Sequence, residues 1–200
     1  MHNTSDYWDK SYKSGKMAWD LGGPTPVFNE WINTYNNFIS ICVLGAGNGW
    51  DAINFSKKGH FVTAVDFAPT AIKNMRIAAK QSKINISILQ ENILNLNKIY
   101  TNKFNVIVEH TCFCAIDPKN RINYIKMVYE ILKPNGKFVG LLFPIDKAPA
   151  EGGPPFGIEL KSTLNLFKKY FRIIKYEKPL LSVESRENRE VFVIFEKYEL

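Results

Sequence analysis

The amino-acid sequence predicts an α/β fold built on a mostly parallel β-sheet with helices on both faces. Short apolar runs typical of buried strands alternate with amphipathic stretches of helical period along the 200 residues. Consecutive strands that are joined through a helix lie parallel in one sheet, and the crossover is almost always right-handed. The chain ends differently, because its last two strand patterns are joined by a polar loop without a helix. We therefore expect an antiparallel hairpin at the end of the sheet.

The individual elements follow from local patterns. The predicted strands are 38–45, 60–66, 86–89, 104–110, 137–143, 171–178 and 190–198. The predicted helices are 5–12, a second one that begins at 25–26, 50–58, 69–82, 118–132 and 161–170. The first strand is apolar along its length, as expected of a strand buried on both faces. Lys133-Pro134-Asn135-Gly136 has the residues of a turn and predicts a break before the fifth strand.

The composition is that of a single folded domain spanning residues 1–200. Apolar residues make up 46% and charged residues 22% of the chain, which is typical of a globular protein. The longest apolar run, 138–145, is much shorter than the roughly 20 residues that cross a bilayer. The N-terminus lacks the basic and apolar regions of a signal peptide. We expect a cytoplasmic protein with no membrane partner.

The formal net charge of +7 is spread along the chain without a basic block. This pattern is a poor footprint for nucleic-acid binding, although a diffuse positive field can steer small anions. Cys42, Cys112 and Cys114 are odd in number and form no Cys-x-x-Cys pair. Free cysteine usually fills the core, so we predict no metal site. The even spread of charge in turn predicts no nucleic-acid partner.

A glycine-rich turn and an acidic residue predict an adenosine ligand. Gly45-Ala46-Gly47-Asn48-Gly49 joins the first strand to a helix, a geometry that lets a backbone approach a ligand closely. Asp66 ends the second strand, where a carboxylate can accept hydrogen bonds from ribose hydroxyls. The G-x-G-x-G spacing differs from the G-x-G-x-x-G of dinucleotide sites and favours S-adenosylmethionine over NAD. A tight turn and a helix cap remain the alternatives for these residues.

The chain before the first strand is unusually aromatic, with Tyr7, Trp8, Tyr12 and Trp19 close together. The sulfonium cation of S-adenosylmethionine is attracted to Trp and Tyr faces by about 0.5–2 kcal/mol per contact. We expect these rings to close over the donor as a lid. For each ring alone, packing on the core is the alternative.

Several blocks of the sequence resemble the thiopurine S-methyltransferase family, whose plant and bacterial relatives include thiol and halide methyltransferases. The matching blocks are Tyr7-Trp8-Asp9-Lys10, Trp19-Asp20, Gly22-Gly23-Pro24-Thr25-Pro26, residues 45–51, residues 65–71, residues 113–118, residues 132–136, Phe143-Pro144-Ile145 and Gly152-Gly153-Pro154-Pro155. The resemblance implies a Rossmann-like class I methyltransferase fold with a seven-stranded sheet. It also implies an N-terminal aromatic lid segment, 1–35, and a catalytic core, 38–200.

The resemblance assigns donor contacts position by position. The implied S-adenosylmethionine-binding residues are Trp8, Tyr12, Trp19, Gly45, Gly47, Asp66, Asn92, Ile93 and His110. Relatives often carry Trp at position 12, Asp at position 92, and Tyr or Arg at position 110. Glu109 replaces the usual Asp, so the departures concentrate beside the acceptor.

The implied activity is transfer of a methyl group by in-line displacement to a small, soft nucleophile: a thiol, bisulfide, halide or thiopurine-like acceptor. His110 is the candidate catalytic base, since histidine can titrate near neutral pH; a purely donor-contacting role is the alternative. The loop 152–156 is expected to wall the acceptor pocket. An NAD-dependent oxidoreductase and a nucleic-acid methyltransferase or RNA-binding module are the rival interpretations. We expect a monomer or a weak homo-oligomer.

Overall fold

The computed structural model describes residues 4–198, which contain six α-helices, seven β-strands and several short 3₁₀ helices. The α-helices are α1 (Ser5–Ser14), α2 (Pro26–Trp31), α3 (Trp50–Lys57), α4 (Pro69–Gln81), α5 (Arg121–Ile131) and α6 (Leu160–Phe167). The strands are β1 (Ser40–Leu44), β2 (Phe61–Asp66), β3 (Ser87–Gln90), β4 (Phe104–His110), β5 (Leu132–Leu142), β6 (Phe171–Glu177) and β7 (Val191–Lys197). Among these residues, no helix has both the length and the apolar character needed to cross a membrane.

The strands form one sheet in the order β3-β2-β1-β4-β5-β7-β6. The pairs β1/β2, β2/β3 and β4/β5 are parallel, whereas β7 runs antiparallel to both β5 and β6. The predicted mostly parallel sheet with an antiparallel end is therefore confirmed. The last strand of the chain, β7, lies between β5 and β6, so β6 forms an edge of the sheet.

The chain divides into two compact units, Met1–Ile93 and Leu94–Leu200. In the first unit, α3 packs on β2, α4 packs on β3, and α1 packs on α4. Because β1 and β2 are parallel, both end at the edge where α3 and α4 begin. The assignment of residues 1–200 to a single domain stays a prediction.

The second unit has a core of phenylalanine rings contributed by β5, β7 and α6. The rings of Phe138 and Phe195 are stacked with centroids 5.8 Å apart, and the Phe167 ring lies 4.7 Å from that of Phe195. All three side chains are fully buried. Aromatic pairs of this kind add about 0.5–1.5 kcal/mol beyond the burial of their area, so they hold the antiparallel strands against the helix.

The residues predicted to form a turn before the fifth strand lie inside β5, and this prediction is wrong. Leu132 pairs with Phe104 and Lys137 pairs with Val106, so β5 carries additional residues that bulge between these pairs. Asn135 has a left-handed φ of 59°, which asparagine tolerates better than most residues. The residues typical of a turn thus form a bulge within β5, and β5 begins directly at the end of α5.

Candidate active site

The glycine-rich turn between β1 and α3 has a left-handed backbone at each of its three glycines. Gly45, Gly47 and Gly49 have φ values of 59°, 57° and 85°, a region that residues with a Cβ rarely adopt. A Cβ on Gly49 would lie 2.5 Å from Cγ of Met75, so the third glycine also lets α4 approach closely. The G-x-G-x-G spacing is therefore required by the turn and by helix packing.

Asp66, at the end of β2, joins the glycine turn to the start of α4. Its Oδ2 accepts the Gly47 N–H at 2.9 Å and its Oδ1 accepts the Ala68 N–H at 2.9 Å. Burial raises the pKa of Asp66, and the backbone N–H groups oppose that rise. A carboxylate has about four acceptor positions, so these bonds do not exhaust its capacity.

The predicted aromatic donor residues lie together beside the glycine turn. The Trp19 ring makes edge-to-face contacts with Trp8 at 5.3 Å and with Tyr12 at 5.7 Å between centroids. Tyr12 forms a buried cluster with Ala68 and Ala71 at the start of α4, and Trp8 and Trp19 pack against this cluster. The Tyr12 hydroxyl lies 3.1 Å from the position that a Cβ on Gly47 would occupy. The rings and the turn therefore form one continuous surface.

Asn92 and Ile93, predicted to bracket adenine, follow β3 next to Asp66. The Glu91 N–H donates to the Asp66 carbonyl oxygen at 3.1 Å, and the Asn92 N–H donates to Oε1 of Glu91 at 2.8 Å. Ile93 is buried and Asn92 is half-buried. The structure thus brings the predicted adenine-side residues to the strand end that carries the predicted ribose acid.

Three carboxylates tie the N-terminal aromatic segment and the segment after it to α3 and α4. Asp9 accepts the Thr70 N–H at 2.7 Å and pairs with Lys13 at 2.6 Å, and this ion pair lowers the pKa of Asp9. Asp51 accepts both the N–H and the hydroxyl of Thr25 at 2.8 Å. These bonds fix α1 against the start of α4, and the residue that precedes α2 against the first turn of α3.

The third carboxylate, Asp20, contacts the glycine turn itself. Its Oδ1 accepts the Trp50 Nε1–H at 2.8 Å and the Gly22 N–H at 2.7 Å, while its Oδ2 accepts from Nδ2 of Asn48. Oδ1 of Asn48 in turn accepts from Nδ2 of Asn74 at 3.0 Å. The side-chain amide of Asn48 therefore links the glycine turn to Asp20 on one side and to Asn74 of α4 on the other.

The sequence interpretation assigned no role to these three carboxylates, although a repeated signal marks them. Each belongs to a Trp-Asp dipeptide: Trp8-Asp9, Trp19-Asp20 and Trp50-Asp51. In all three, the aspartate makes the hydrogen bonds that hold the surrounding segment in place. The repetition of this dipeptide is the sequence feature that could have identified them.

In the second unit, His110 ends β4 and contacts a buried arginine. Its Nε2 lies against Nη1 of Arg186. A guanidinium has only donors, so Nε2 accepts and the imidazole is neutral. Burial and the positive charge of Arg186 hold the pKa of His110 well below its usual value. The lone pair that a general base needs is therefore already engaged by Arg186.

Glu109 closes a tight turn directly after β4. Its Oε1 accepts the N–H groups of Cys112 at 2.7 Å and Phe113 at 2.8 Å, and Thr111, just before Cys112, has a left-handed φ of 58°. Burial raises the pKa of Glu109 to about 7, although these N–H groups and two nearby arginines lower it. Near neutral pH this side chain is partly protonated.

Two buried arginines near Glu109 complete a polar cluster that the sequence interpretation missed. Arg186 is 3% and Arg121 5% exposed, and both act on the pKa of Glu109. Arg121 Nη2 donates to the carbonyl oxygens of Gly157 at 3.1 Å and Phe156 at 3.4 Å. These contacts place the end of the predicted loop 152–156 beside the cluster. Each arginine lies in an ordinary polar stretch of sequence, so no local pattern marks it.

Comparison with known proteins is consistent with this geometry. The family described as Thiopurine S-methyltransferase (TPMT) matches residues 3–200. "Probable thiol methyltransferase 2" of Arabidopsis thaliana is 31% identical over 162 residues, which are 79% of this chain and 70% of the relative. "Thiocyanate methyltransferase 1" of the same plant is 25% identical over 187 residues, covering 92% of this chain and 81% of the relative.

Solved structures agree on the fold. Burkholderia thailandensis 1,6-didemethyltoxoflavin-N1-methyltransferase, crystallised with 1,6-didemethyltoxoflavin and S-adenosylhomocysteine, matches with a TM-score of 0.78 at 16% identity, over 98% of this chain and 87% of that one. The predicted class I methyltransferase fold and the dependence on S-adenosylmethionine are confirmed, and the oxidoreductase and nucleic-acid alternatives are not favoured. With its family profile matched along almost its whole length, the chain belongs to the thiopurine S-methyltransferase family.

Proposed function

We propose that the protein transfers the methyl group of S-adenosylmethionine to a small, soft nucleophile that binds as an anion. The observation that carries this proposal is a pair of buried guanidiniums near Glu109: Arg186, which contacts the neutral His110, and Arg121. The names of the two plant relatives, a thiol and a thiocyanate methyltransferase, support a soft sulfur nucleophile. Thiolates, bisulfide, thiocyanate and halides all fit this description.

On the donor side, we propose roles for the residues that the structure brings together around the glycine turn. Gly45 and Gly47 give the donor access to the backbone, and Asp66 accepts hydrogen bonds from its ribose hydroxyls. Asn92 and Ile93 lie beside the adenine. Each role rests on the predicted position and on the contacts of the turn with Asp66.

The rings of Trp8, Tyr12 and Trp19 are proposed to surround the donor sulfur. When bound, S-adenosylmethionine supplies a methyl group on a positively charged sulfur, which is a good leaving group. The chain itself contributes alignment and the exclusion of water from the nucleophile. Alignment of this kind can contribute about 7–11 kcal/mol.

The buried charges of the second unit favour an anion as the acceptor. A unit negative charge 4 Å from a guanidinium gains about 4 kcal/mol at an effective dielectric constant of 20. Arg186 and Arg121 stay protonated at neutral pH although burial lowers the pKa of both. Burial raises the pKa of Glu190 as well, while the Ser182 hydroxyl and Arg186 oppose that rise.

An acceptor that is already ionised needs no general base. We therefore propose that His110 accepts a hydrogen bond from Arg186 and orients it towards the acceptor. The second candidate is a neutral thiol that His110 deprotonates, and its support is the position of His110 at the carboxyl end of β4, where open α/β sheets bind ligands.

Asp66→Ala should weaken the binding of S-adenosylhomocysteine at least about tenfold, since two ribose hydroxyls lose a charged acceptor. The measurement is titration calorimetry with S-adenosylhomocysteine and with its 2′,3′-dideoxy analogue. The analogue, which has no ribose hydroxyls for Asp66 to bind, should lose less affinity than S-adenosylhomocysteine does between wild type and Asp66→Ala. Asp9→Asn removes the negative charge of another buried carboxylate at the start of α4 and serves as the control for lost stability. Unchanged affinity in Asp66→Ala would exclude the ribose role.

Arg186→Gln should raise KM for iodide and for a thiol by about tenfold or more while leaving donor affinity unchanged. Arg189→Gln is the matched control, because Arg189 stacks on the same Phe143 ring but is only half-buried and is paired with Asp146. Transfer of labelled methyl to each acceptor is measured. His110→Asn should slow transfer to both acceptors alike. Loss of thiol methylation with intact iodide methylation would instead identify His110 as the base.

Glu109 should make acceptor affinity depend on pH. Its carboxyl gains a negative charge as the pH rises through about 7, while Cys114, with a pKa of about 12, and His110 stay neutral. KM for iodide should therefore rise several-fold between pH 6 and pH 8. Glu109→Gln should remove the rise, and the exposed control Glu187→Gln should keep it. A rise of the same size in both variants would contradict this assignment.

A further inference from the structure

We propose that Asp20 is a positioning residue that latches the aromatic segment onto the glycine turn through Asn48 and so sets how long the donor stays bound. The inference rests on the proposed donor site. Asp20 lies in the Trp19-Asp20 block of the resemblance, but it is not one of the predicted donor-binding residues and no role was assigned to it. It is carried by a chain of hydrogen bonds within residues 4–93.

The latch joins four parts of the first unit through the side chains of Asp20 and Asn48. Asp20 directly follows Trp19, and its carboxylate accepts from the Asn48 amide in the middle of the glycine turn. The same carboxylate accepts the Trp50 Nε1–H at 2.8 Å, and Asn48 accepts from Asn74 of α4 at 3.0 Å. The segment that carries Trp19, the turn, α3 and α4 are therefore connected at one point.

The donors and acceptors in the hydrogen bonds that link Asn74, Asn48 and Asp20 have a fixed order. Asn74 donates to Oδ1 of Asn48, which leaves Nδ2 of Asn48 as the only amide atom that faces Asp20. A flip of the Asn48 amide would place two NH₂ groups together at Asn74 and two oxygens together at Asp20. The Asp20 position therefore requires an acceptor, and a charged acceptor makes the stronger bond.

The position of the latch connects it to the donor. Trp19 contacts both Tyr12 and Trp8 edge-to-face, so releasing residue 20 frees the ring that links the other two. On the N-terminal side of Asp20, Asp9 holds α1 in place, and on the C-terminal side Asp51 holds Thr25. The segment between those two anchors is fixed to the glycine turn through Asp20, and its release is the motion that lets a bound donor leave.

The experiment measures the dissociation rate of S-adenosylhomocysteine by stopped-flow tryptophan fluorescence, together with the melting temperature. Asp20→Asn keeps an oxygen for Trp50 but turns an NH₂ group towards the amide of Asn48. We expect the dissociation rate to rise about tenfold, the value that corresponds to the loss of one charge-assisted hydrogen bond. Asn48→Ser, which removes the same contact from the other side, should raise it similarly.

A swap of the two side chains provides the rescue. In the double variant Asp20→Asn with Asn48→Asp, residue 48 accepts from both Asn74 and the new amide at position 20, so every donor again has an acceptor. The dissociation rate should return to within about threefold of wild type. Asn48→Asp alone places two carboxylates together and should release the donor fastest.

Thr25→Val is the matched control, because it removes a side-chain hydrogen bond of the same segment that does not reach the glycine turn. It should lower the melting temperature without changing the dissociation rate. An unchanged rate in Asp20→Asn and Asn48→Ser, or a swap that fails to rescue, would overturn the latch. If wild type fails to bind S-adenosylhomocysteine at all, the proposed donor site fails first, and the latch fails with it.

Discussion

The buried carboxylate of Asp66 is the constraint on which the donor side of this protein depends. By accepting the N–H groups of Gly47 and Ala68, it fixes the glycine turn relative to the start of α4. The aromatic rings pack on that same helix start. The Glu91 N–H donates to the Asp66 carbonyl oxygen, which holds the predicted adenine-side residues, Asn92 and Ile93, next to Asp66. Asp66 therefore connects the glycine turn and the start of α4 through its side chain, and the residue that precedes Asn92 through its backbone carbonyl.

The polar cluster of the second unit follows a different principle. Its charges are buried: Arg121 and Arg186 stay protonated, Glu109 titrates near neutral pH, and Glu190 lies close enough to act on Arg186. Buried charges without full compensation are costly to folding. We propose that a negatively charged ligand completes the balance when it binds.

Local patterns were sufficient to predict most of the fold, and they marked the glycine turn and Asp66, which the structure brings into contact; the donor-binding roles of these residues stay a prediction. The apolar run of β1, the three glycines and Asp66 lie close together in sequence, so their spacing alone predicts a buried strand followed by an adenosine site. The residues 133–136 were misassigned because turn chemistry also suits a bulge, and only the register of β4 with β5 distinguishes the two. Arg186 was missed because its partner His110 is remote in sequence and no local pattern links them.

A crystal structure with S-adenosylmethionine bound tests the central claim most directly. The account predicts both ribose hydroxyls within about 2.7–3.2 Å of the Asp66 carboxylate and the sulfur within about 6 Å of the Trp19 ring centroid. A donor bound away from the glycine turn, or one whose sulfur lies far from Trp8, Tyr12 and Trp19, would contradict it.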